Sequence, residues 1–467
     1  YFVSKFLHPL RQLDSSQIIT LGFLTVILFG AVILSLPICS ADFTFTPFVD
    51  SLFTATSAVC ITGLTAVSTA YHWNILGKLI ILMLIQIGGI GFMSMVTMLF
   101  IAVGKKITLK ERIVIQESFN LSQRHGLVSF TIYIFKFSFV AELIGAFFLS
   151  LRFIPQYGFV RGIFYGIFHS VSAFCNAGFD ILGDNSLIPF SGDIIVNITV
   201  MCLIVVGGLG FPVYSDFTTH LKFAKEHKLH INYVVKKLRL HSKIALITTA
   251  VLIVFGGLFF FIAEYFNPYT IGNFSFFHKI LASLFQSVTL RTAGFDSMGQ
   301  GNMTYASKVI SIVLMYIGGS PASTAGGVKT VTSAILFLAV WAVIRGRESI
   351  NVFHKNIPFY TLQKALAVVM MMVTITIGAS VIMTWTEAHT PIHMEYLDIL
   401  FEVVSAQCTV GLTTGITHFL SNGGKIVLVL CMYMGRLGPI SVAIALTKNK
   451  KHNKNNIHFP EDKLLVG

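Results

Sequence analysis

Charged residues are scarce in this sequence. Asp, Glu, Lys and Arg supply 11% of its 467 residues, whereas soluble domains carry roughly 25%. Hydrophobic residues supply 54%, so most of the chain must lie in lipid or against other apolar helices. Nothing outside the apolar stretches is large enough for a soluble domain with its own core. No nucleophile, base or metal cluster occurs in a cleft-like context, so we expect no enzymatic activity.

Metal-binding and processing signals are also lacking. The six cysteines include no CxxC pair, which argues against a metal centre. The first apolar run is too long for a signal peptide, and Pro37, Ile38 and Cys39 flank it without a small-residue cleavage site. We therefore expect no cleavable signal peptide and no metal ion other than a transported cation.

The sequence does contain a fourfold repeat. Four segments share an aromatic residue, a run of small hydroxyl residues and a terminal glycine: SLFTATSAVCITGLT (51–65), GIFHSVSAFCNAGFD (166–180), SLFQSVTLRTAGFD (283–296) and ILFEVVSAQCTVGLT (399–413). Their last glycines, Gly63, Gly178, Gly294 and Gly411, are 115, 116 and 117 residues apart. A fixed period indicates a repeated structural unit. Four copies around one point can form a ring of backbone carbonyls, which suits a pore for a dehydrated monovalent cation.

A long apolar stretch lies before and after each repeated segment. The stretches before it are 16–39, 129–153, 242–266 and 364–386, and those after it are 77–103, 193–219, 306–344 and 423–447. Each is long enough to cross a hydrocarbon core of about 30 Å, whereas the roughly 12 residues before each glycine suit a re-entrant half-helix. We predict an all-α membrane protein with four helix–half-helix–helix units, and hence eight spanning helices, around one pore. The predicted units are 1–104, 105–222, 223–346 and 347–447, followed by a tail at 448–467.

Basic residues predict the orientation. The N-terminal segment, the connections between units and the tail contain 23 of the 33 Lys and Arg residues. The positive-inside rule places these segments and both termini in the cytoplasm. Topology and anionic lipid headgroups account for the net charge of +13 without a nucleic-acid partner. The longest basic connection, 220–243, suits either the cytoplasmic leaflet or a protein partner.

The repeated glycines predict the ion-binding residues. Carbonyls replace a cation's hydration shell without holding it too tightly, and glycine permits the extended backbone that aims them inward. The alternative is that these are small-residue packing sites between membrane helices. The predicted K⁺-binding filter consists of the carbonyls of Ile61, Thr62, Gly63, Asn176, Ala177, Gly178, Thr292, Ala293, Gly294, Thr409, Val410 and Gly411.

The third segment differs from the others. It is one residue shorter between its Phe and its glycine, and Arg291 stands where Cys60, Cys175 and Cys408 stand in the other units. A charge there is costly unless it is paired or near water, so we expect a salt bridge that supports the filter, with direct control of ions as the alternative. Two acids that follow their glycines either enrich cations at the outer mouth or are exposed loop residues: Asp180 and Asp296.

The second apolar stretches also align. They contain QIGGIGF (86–92), VVGGLGF (205–211), YIGGSPASTAGGVK (316–329) and YMGRLGP (433–439). Irregular backbone at membrane depth is tolerated where it lines a cavity, so the interruption of the third stretch predicts a gate, with a packing kink as the alternative. The predicted gate is Gly318, Gly319, Ser320, Pro321, Ala322, Ser323, Thr324, Ala325, Gly326, Gly327 and Arg436. Three roles are open for Arg436: it repels cations, it holds the loop through the loop carbonyls, or it anchors the helix in the cytoplasm. Glu142 is expected to be a buried helix partner rather than part of an ion path.

These motifs resemble the superfamily of K⁺ transporters that includes TrkH, KtrB and the fungal and plant Trk/HKT proteins. SVTLRTAGFD, GGSPASTAGGVKT and YMGRLGP carry the resemblance, which covers essentially the whole chain and favours the KtrB branch. It implies the filter, loop gate and Arg436 assigned above, sodium-dependent K⁺ uptake or symport, and a bacterial cell membrane. It also implies a homodimer and a cytoplasmic ring of KtrA-like RCK subunits, with any nucleotide bound only by that ring.

Two other classes of membrane protein remain as alternatives. A secondary transporter with alternating access typically has inverted or twofold repeats rather than four units in one orientation. A scaffold or receptor without ion flux gives no reason for four filter glycines.

Overall fold

The architecture is taken from a computed structural model of the chain. It describes residues 14–102, 113, 116, 127–347, 349–388, 390, 394–439, 442 and 443. The predicted tail at 448–467 therefore lies outside the described residues.

Helices follow the predicted fourfold order, which we number as four repeats. The first repeat contains α1 (Ser15–Ser35), α2 (Phe48–Cys60), α3 (Ile75–Ile90) and α4 (Phe92–Ala102). The second contains α5 (Leu127–Tyr157), α6 (Phe159–Phe174), α7 (Ile194–Gly208) and α8 (Phe211–Glu226), with α9 (Ile231–Lys237) after it. The third contains α10 (Leu240–Glu264), α11 (Phe276–Thr289), α12 (Tyr305–Tyr316) and α13 (Thr330–Ile344). Strands β1 (Ile350–Val352) and β2 (Lys355–Ile357) precede the fourth, which contains α14 (Phe359–Thr386), α15 (Tyr396–Gln407) and α16 (Asn422–Leu437).

The first helix of each repeat, its outer helix, is long and apolar enough to cross a membrane. These helices are α1, α5, α10 and α14, and the described residues contain no other unbroken helix of this kind. Large apolar side chains such as Phe29, Ile262 and Trp385 are exposed on them, as expected for surfaces that face lipid. The all-α membrane fold class is thus confirmed, with the small β1–β2 hairpin as an unpredicted addition.

The second helix of each repeat is the predicted half-helix. Helices α2, α6, α11 and α15 contain 13, 16, 14 and 12 residues, too few to span a bilayer. In the last turns of each half-helix, nearly all residues are buried. Each ends three to five residues before its repeated glycine.

The inner helix of every repeat is interrupted, although the apolar stretches 77–103, 193–219 and 423–447 predicted continuous spanning helices in the first, second and fourth repeats. Gly91 separates α3 from α4, Gly210 separates α7 from α8, and Gly438 follows α16. Their φ/ψ angles are nearly identical, at 90/134°, 89/134° and 83/135°, a region that is almost restricted to glycine. Pro321 occupies the aligned position in the third repeat, and because proline fixes φ near −65°, that helix breaks as a longer loop. The α7–α8 pair bends by 90°.

The four repeats form a closed ring. The inner helix of each repeat packs against the half-helix of the next one: α3 on α6, α7 on α11, α12 on α15, and α16 on α2. The ring therefore closes between the last repeat and the first. This arrangement brings the four segments after the half-helices to a common centre.

Candidate ion pore

The four repeated glycines lie at this centre in a left-handed backbone conformation. Gly63, Gly178, Gly294 and Gly411 have φ angles of 96°, 69°, 79° and 94°. L-residues rarely adopt these angles, whereas glycine adopts them without a steric penalty. All twelve residues of the predicted filter are buried.

Each glycine touches the backbone of the next repeat, and no side chain would fit between them. A Cβ atom on the glycine would lie within 3 Å of the carbonyl oxygen that precedes the next glycine: Gly63 to Ala177, 2.6 Å; Gly178 to Ala293, 2.8 Å; Gly294 to Val410, 2.6 Å; Gly411 to Thr62, 1.9 Å. The four contacts run in one direction and return to their start. The structure therefore brings the predicted filter residues of all four repeats into one ring.

A second left-handed residue precedes each glycine by two positions. These residues are Ile61, Asn176, Thr292 and Thr409, with φ angles of 60°, 58°, 66° and 52°. A left-handed β-branched residue is a conformational outlier, so the repeated geometry is imposed by the surrounding helices. The four side chains at this position differ, so no shared residue type predicts the conformation.

Hydroxyl groups at the ends of the half-helices hold the filter segments. The hydroxyls of Ser57 and Ser405 accept hydrogen bonds from the amides of Gly63 and Gly411, each at 3.0 Å. Ser172 donates to the carbonyl of Phe179 and Thr289 to that of Phe295, each at 2.7 Å. The run of small hydroxyl residues noted in the sequence therefore positions the segments from behind.

A polar residue after the repeated Phe anchors the outer loop, and the sequence analysis missed it. His169 Nε2 accepts from the amide of Ile181 at 3.4 Å. The carboxylate of Glu402 accepts from the hydroxyls of Thr413 and Thr417 and, at 3.1 Å, from the amide of Thr414. His169 and Glu402 directly follow the repeated Phe168 and Phe401. This shared position in the repeat could have indicated a shared role, although the two side chains differ.

The amide of Gln286 has the same position in the third repeat. It exchanges hydrogen bonds with the side chain of Gln300 at 2.7 and 3.0 Å. Gln300 in turn donates to Asp296, which also accepts from the amides of Met298 and Gly299. Asp296 is thus a half-buried loop-organising residue rather than a freely exposed acid, and Asp180 is also half-buried.

Arg291 makes no salt bridge among the described residues, contrary to the prediction. Its guanidinium donates to the carbonyl and hydroxyl of Thr249 at 3.4 and 3.3 Å, and to the carbonyl of Gly318 at 3.4 Å. Carbonyl and hydroxyl oxygens, rather than a carboxylate, therefore surround this charge. Gly318 begins the predicted gate, so Arg291 connects the third filter segment to the base of the loop.

Paired glycines of the inner helices pack next to the predicted filter segments, against the half-helix of the same repeat and that of the next. A Cβ on Gly88 would lie 2.1 Å from the carbonyl oxygen of Val59 in the same repeat, and one on Gly89 would lie 2.4 Å from Cys175 Sγ in the next. Cys175 is thus a small, fully buried residue behind the second of the predicted filter segments. Glu142 is buried beside it and accepts two hydrogen bonds of 3.1 Å from Gln86, as expected of a helix partner.

The loop between α12 and α13 lies against the inner helix of the second repeat. Ser320 donates its amide to the carbonyl of Gly208 at 2.9 Å, and Phe211 donates its amide to the carbonyl of Ala322 at 3.0 Å. The loop therefore contacts the 90° bend between α7 and α8 on both of its sides.

The same loop touches the filter segments from the side of the half-helix C-termini. The hydroxyl of Thr324 donates to the carbonyl of Phe174 at 3.2 Å, and the amide of Gly326 donates to the hydroxyl of Thr292 at 3.3 Å. A Cβ on Gly326 would lie 2.0 Å from Thr409 Oγ1. The loop thus contacts three of the four segments and closely approaches the ring.

Two cationic side chains hold the loop. Arg436 donates to the carbonyl of Thr324 at 2.6 Å and also to the carbonyl of Gly88. Lys329 donates to the carbonyl of Ala325 at 2.7 Å. Of the three roles considered for Arg436, this geometry matches contact with the loop carbonyls.

Comparisons with known proteins agree with this architecture. The profile of the TrkH family, described as "Cation transport protein", matches residues 4–457. The "Potassium/sodium uptake protein NtpJ" of Enterococcus hirae is 41% identical over 98% of both chains. The "Ktr system potassium uptake protein B" of Bacillus subtilis is 38% identical over 97% of this chain and 96% of its own length, and that of Vibrio alginolyticus is 37% identical.

A solved structure shares the fold. The crystal structure of the potassium transporter TrkH from Vibrio parahaemolyticus superposes with a TM-score of 0.71, covering 93% of this chain and 85% of that protein. Its sequence identity is 18%, so it supports the architecture alone.

Proposed function

The chain belongs to the TrkH family of cation transport proteins, and we propose that it is a multi-pass membrane protein that takes up K⁺ through a ring of backbone carbonyls. Relatives of 37 to 41% identity are named for potassium uptake. The observation that carries the proposal is the closed ring of Gly63, Gly178, Gly294 and Gly411, each against the next repeat's carbonyl.

The proposed filter works through the backbone. Carbonyl oxygens can replace the hydration shell of K⁺ without a fixed negative charge, so the ion binds and still leaves. The C-terminal, partly negative ends of α2, α6, α11 and α15 point to the same region and favour a cation there. The proposed ligands are the twelve carbonyls named from the sequence.

The loop 318–327 and Arg436 form the proposed gate. The loop contacts the filter segments on the side of the half-helix C-termini, and Arg436 joins the loop to α3. A loop in that position obstructs the path, and its glycines allow it to move. Uptake therefore requires the loop to break two contacts: the hydrogen bond of Gly326 to Thr292 and that of Thr324 to Phe174.

The proposed orientation has both termini in the cytoplasm, from the distribution of basic residues. The names of the Ktr relatives refer to a system of several components, which supports a further subunit; that this subunit is a cytoplasmic RCK ring, and that the chain is a homodimer, are the parts of the proposal that rest on the superfamily resemblance. Basic connections would speed docking onto an acidic ring in a manner that salt weakens. Co-purification with a candidate ring at low and moderate salt, followed by nucleotide-dependent flux, tests this assignment; flux that ignores nucleotide contradicts it.

Na⁺ permeation, or Na⁺/K⁺ transport by alternating access, is the second candidate. The name of the Enterococcus hirae relative includes sodium, and one glycine per repeat is common to all four filter segments. Because the four filter segments share little sequence, the repeat supports the binding of a cation more strongly than it supports selection of K⁺ over Na⁺.

Uptake of ⁸⁶Rb⁺ into proteoliposomes tests both candidates. Competition by K⁺ but not by equal Na⁺ is the result expected for the K⁺ filter. Equal competition by both ions favours the second candidate, and dependence of uptake on an inwardly directed Na⁺ gradient favours sodium coupling. Rates and voltage dependence in planar bilayers separate a pore from alternating access.

A further inference from the structure

We propose that Lys329 is a second positioning cation of the loop, so that the loop leaves the ion path only when Lys329 and Arg436 release two neighbouring carbonyls. This inference rests on the proposed gate. It adds a residue that lies outside the loop and the fourth inner helix.

The two cations hold adjacent peptide groups from different sides. Lys329 Nζ donates to the carbonyl of Ala325 at 2.7 Å, and Arg436 Nη1 donates to the carbonyl of Thr324 at 2.6 Å. Thr324 and Ala325 lie at the part of the loop that reaches the second and third filter segments. Both bonds must therefore break before this part can move away.

The residues on both sides of Lys329 are held by backbone hydrogen bonds that do not involve Thr324 or Ala325. Lys329 is the N-cap residue of α13. Next to it, Val328 donates its amide to the carbonyl of Tyr316, and Gly318 donates its amide to the carbonyl of Val328, each at 3.0 Å. The amide of Thr330 donates to the carbonyl of Gly319, also at 3.0 Å. The lysine side chain thus reaches from a hydrogen-bonded segment of backbone to the carbonyl of Ala325 in the loop.

No carboxylate balances these two charges. Among the described residues, no ion pair includes Lys329 or Arg436. Cations within a membrane protein normally pair with acids or carbonyls, and here only carbonyl oxygens accept from them. A K⁺ ion that leaves the filter would meet two like charges and compete with them for the same oxygens.

The test compares basal ⁸⁶Rb⁺ uptake, without a regulatory subunit, in the full-length parent and three variants. Lys329→Met removes the donor and the charge with little change in side-chain length, whereas Lys329→Arg keeps both. Lys355→Met is the matched control, because Lys355 is an exposed lysine in β2. K⁺/Na⁺ competition is measured for each protein as a second readout.

We expect Lys329→Met to raise basal uptake by about tenfold, because a hydrogen bond from a charged donor shifts an equilibrium by roughly that factor. Lys329→Arg and Lys355→Met should remain near the parental rate, and K⁺/Na⁺ competition should not change in any of them. A merely structural lysine would instead lower uptake and alter competition together.

An unchanged or lower rate for Lys329→Met, in protein that elutes and competes as the parent does, overturns the role of Lys329. If the methionine variant does not fold, Lys329→Gln gives the same comparison with an uncharged side chain that is one bond shorter. A parent that takes up Rb⁺ without preference for K⁺ over Na⁺ contradicts the proposed filter instead, so the two failures are distinguishable.

Discussion

A Cβ atom on Gly411 would lie 1.9 Å from the carbonyl oxygen of Thr62. Gly411 is in the last repeat and Thr62 is in the first, so backbone meets backbone where the ring closes. At the other three junctions between neighbouring repeats, the Cβ position of the glycine lies 2.6 to 2.8 Å from the carbonyl oxygen of the next repeat. A side chain at any of the four glycines must displace the neighbouring carbonyl, which is one of the proposed ion ligands.

Gly294→Ser should reduce the preference for K⁺ over Na⁺. The φ angle of Gly294 is +79°, and a Cβ there would lie 2.6 Å from the carbonyl oxygen of Val410. The substitution both strains the backbone and moves that oxygen. Competition of K⁺ and Na⁺ for ⁸⁶Rb⁺ uptake measures the effect.

Gly378→Ser is the matched control for this prediction. Gly378 lies in α14, and nothing lies within 4 Å of a Cβ built on it. Its competition profile should remain that of the parent. Unchanged competition in Gly294→Ser, at normal expression, would remove the basis for the proposed filter.

Deletion of 322–325 should raise basal uptake and weaken its dependence on a regulatory subunit. The deletion removes the carbonyl that Arg436 contacts in the loop and the hydroxyl of Thr324 that bonds to Phe174. ⁸⁶Rb⁺ uptake with and without the candidate ring measures both effects. A folded deletion variant that conducts less than the parent would indicate that the loop supports the pore rather than obstructs it.

Gly210→Ala should change basal uptake more than Gly91→Ala. The two glycines have the same φ/ψ angles, so both variants bear a similar backbone strain, of order 1–3 kcal/mol. Only at Gly210 would the new Cβ approach the gate, at 2.6 Å from the carbonyl oxygen of Pro321. At Gly91 the nearest atom is Ser94 Oγ at 4.0 Å.

We expect Gly210→Ala to displace the loop and raise basal uptake, and Gly91→Ala to lower thermal stability without this change. Uptake is compared at equal amounts of reconstituted protein. Equal uptake by both variants would mean that the α7–α8 bend does not act on the gate.

Lys425→Met should destabilise the closed ring. Lys425 Nζ in α16 lies 2.7 Å from Asp50 Oδ1 in α2, and both side chains are mostly buried. Removal of one partner leaves a buried charge unpaired, which costs about 3 kcal/mol in such pairs. Thermal unfolding of the detergent-solubilised protein measures the loss.

The double variant Lys425→Met/Asp50→Asn should recover part of this loss, since it leaves no unpaired charge. Lys222→Met, at an exposed position in α8, should change the unfolding temperature little. A double variant less stable than Lys425→Met would indicate that Asp50 has a more important partner than Lys425.

The sequence predicted the ring because its signal was local and repeated four times. Gly63 and its three equivalents mark a backbone conformation that other residues avoid, so their spacing reveals the units. The left-handed Ile61, Asn176, Thr292 and Thr409 were not predictable, since tertiary packing imposes their conformation on residues that do not favour it. The breaks at Gly91, Gly210 and Gly438 were visible as an aligned glycine, but hydrophobicity continued through them and favoured continuous helices.

Charged side chains were the least predictable part of the site. Arg291 was expected to pair with an acid, because a charge in the membrane is costly unless it is paired or near water. The structure surrounds it with Thr249 and the carbonyl of Gly318 instead. Two of these acceptors are backbone carbonyls and the third is the hydroxyl of Thr249, so no acidic residue in the sequence marks them.

The contact between Lys425 and Asp50 spans 375 residues of the chain. A ribosome adds roughly 5–20 residues per second, so Asp50 waits about 20 to 75 s for its partner after it leaves the tunnel. During that time the first three repeats hold an open arc with an unpaired acid at one edge. A nascent chain arrested before the fourth repeat would therefore lack the partner of Asp50, and such a charge is costly in a membrane protein unless it is near water.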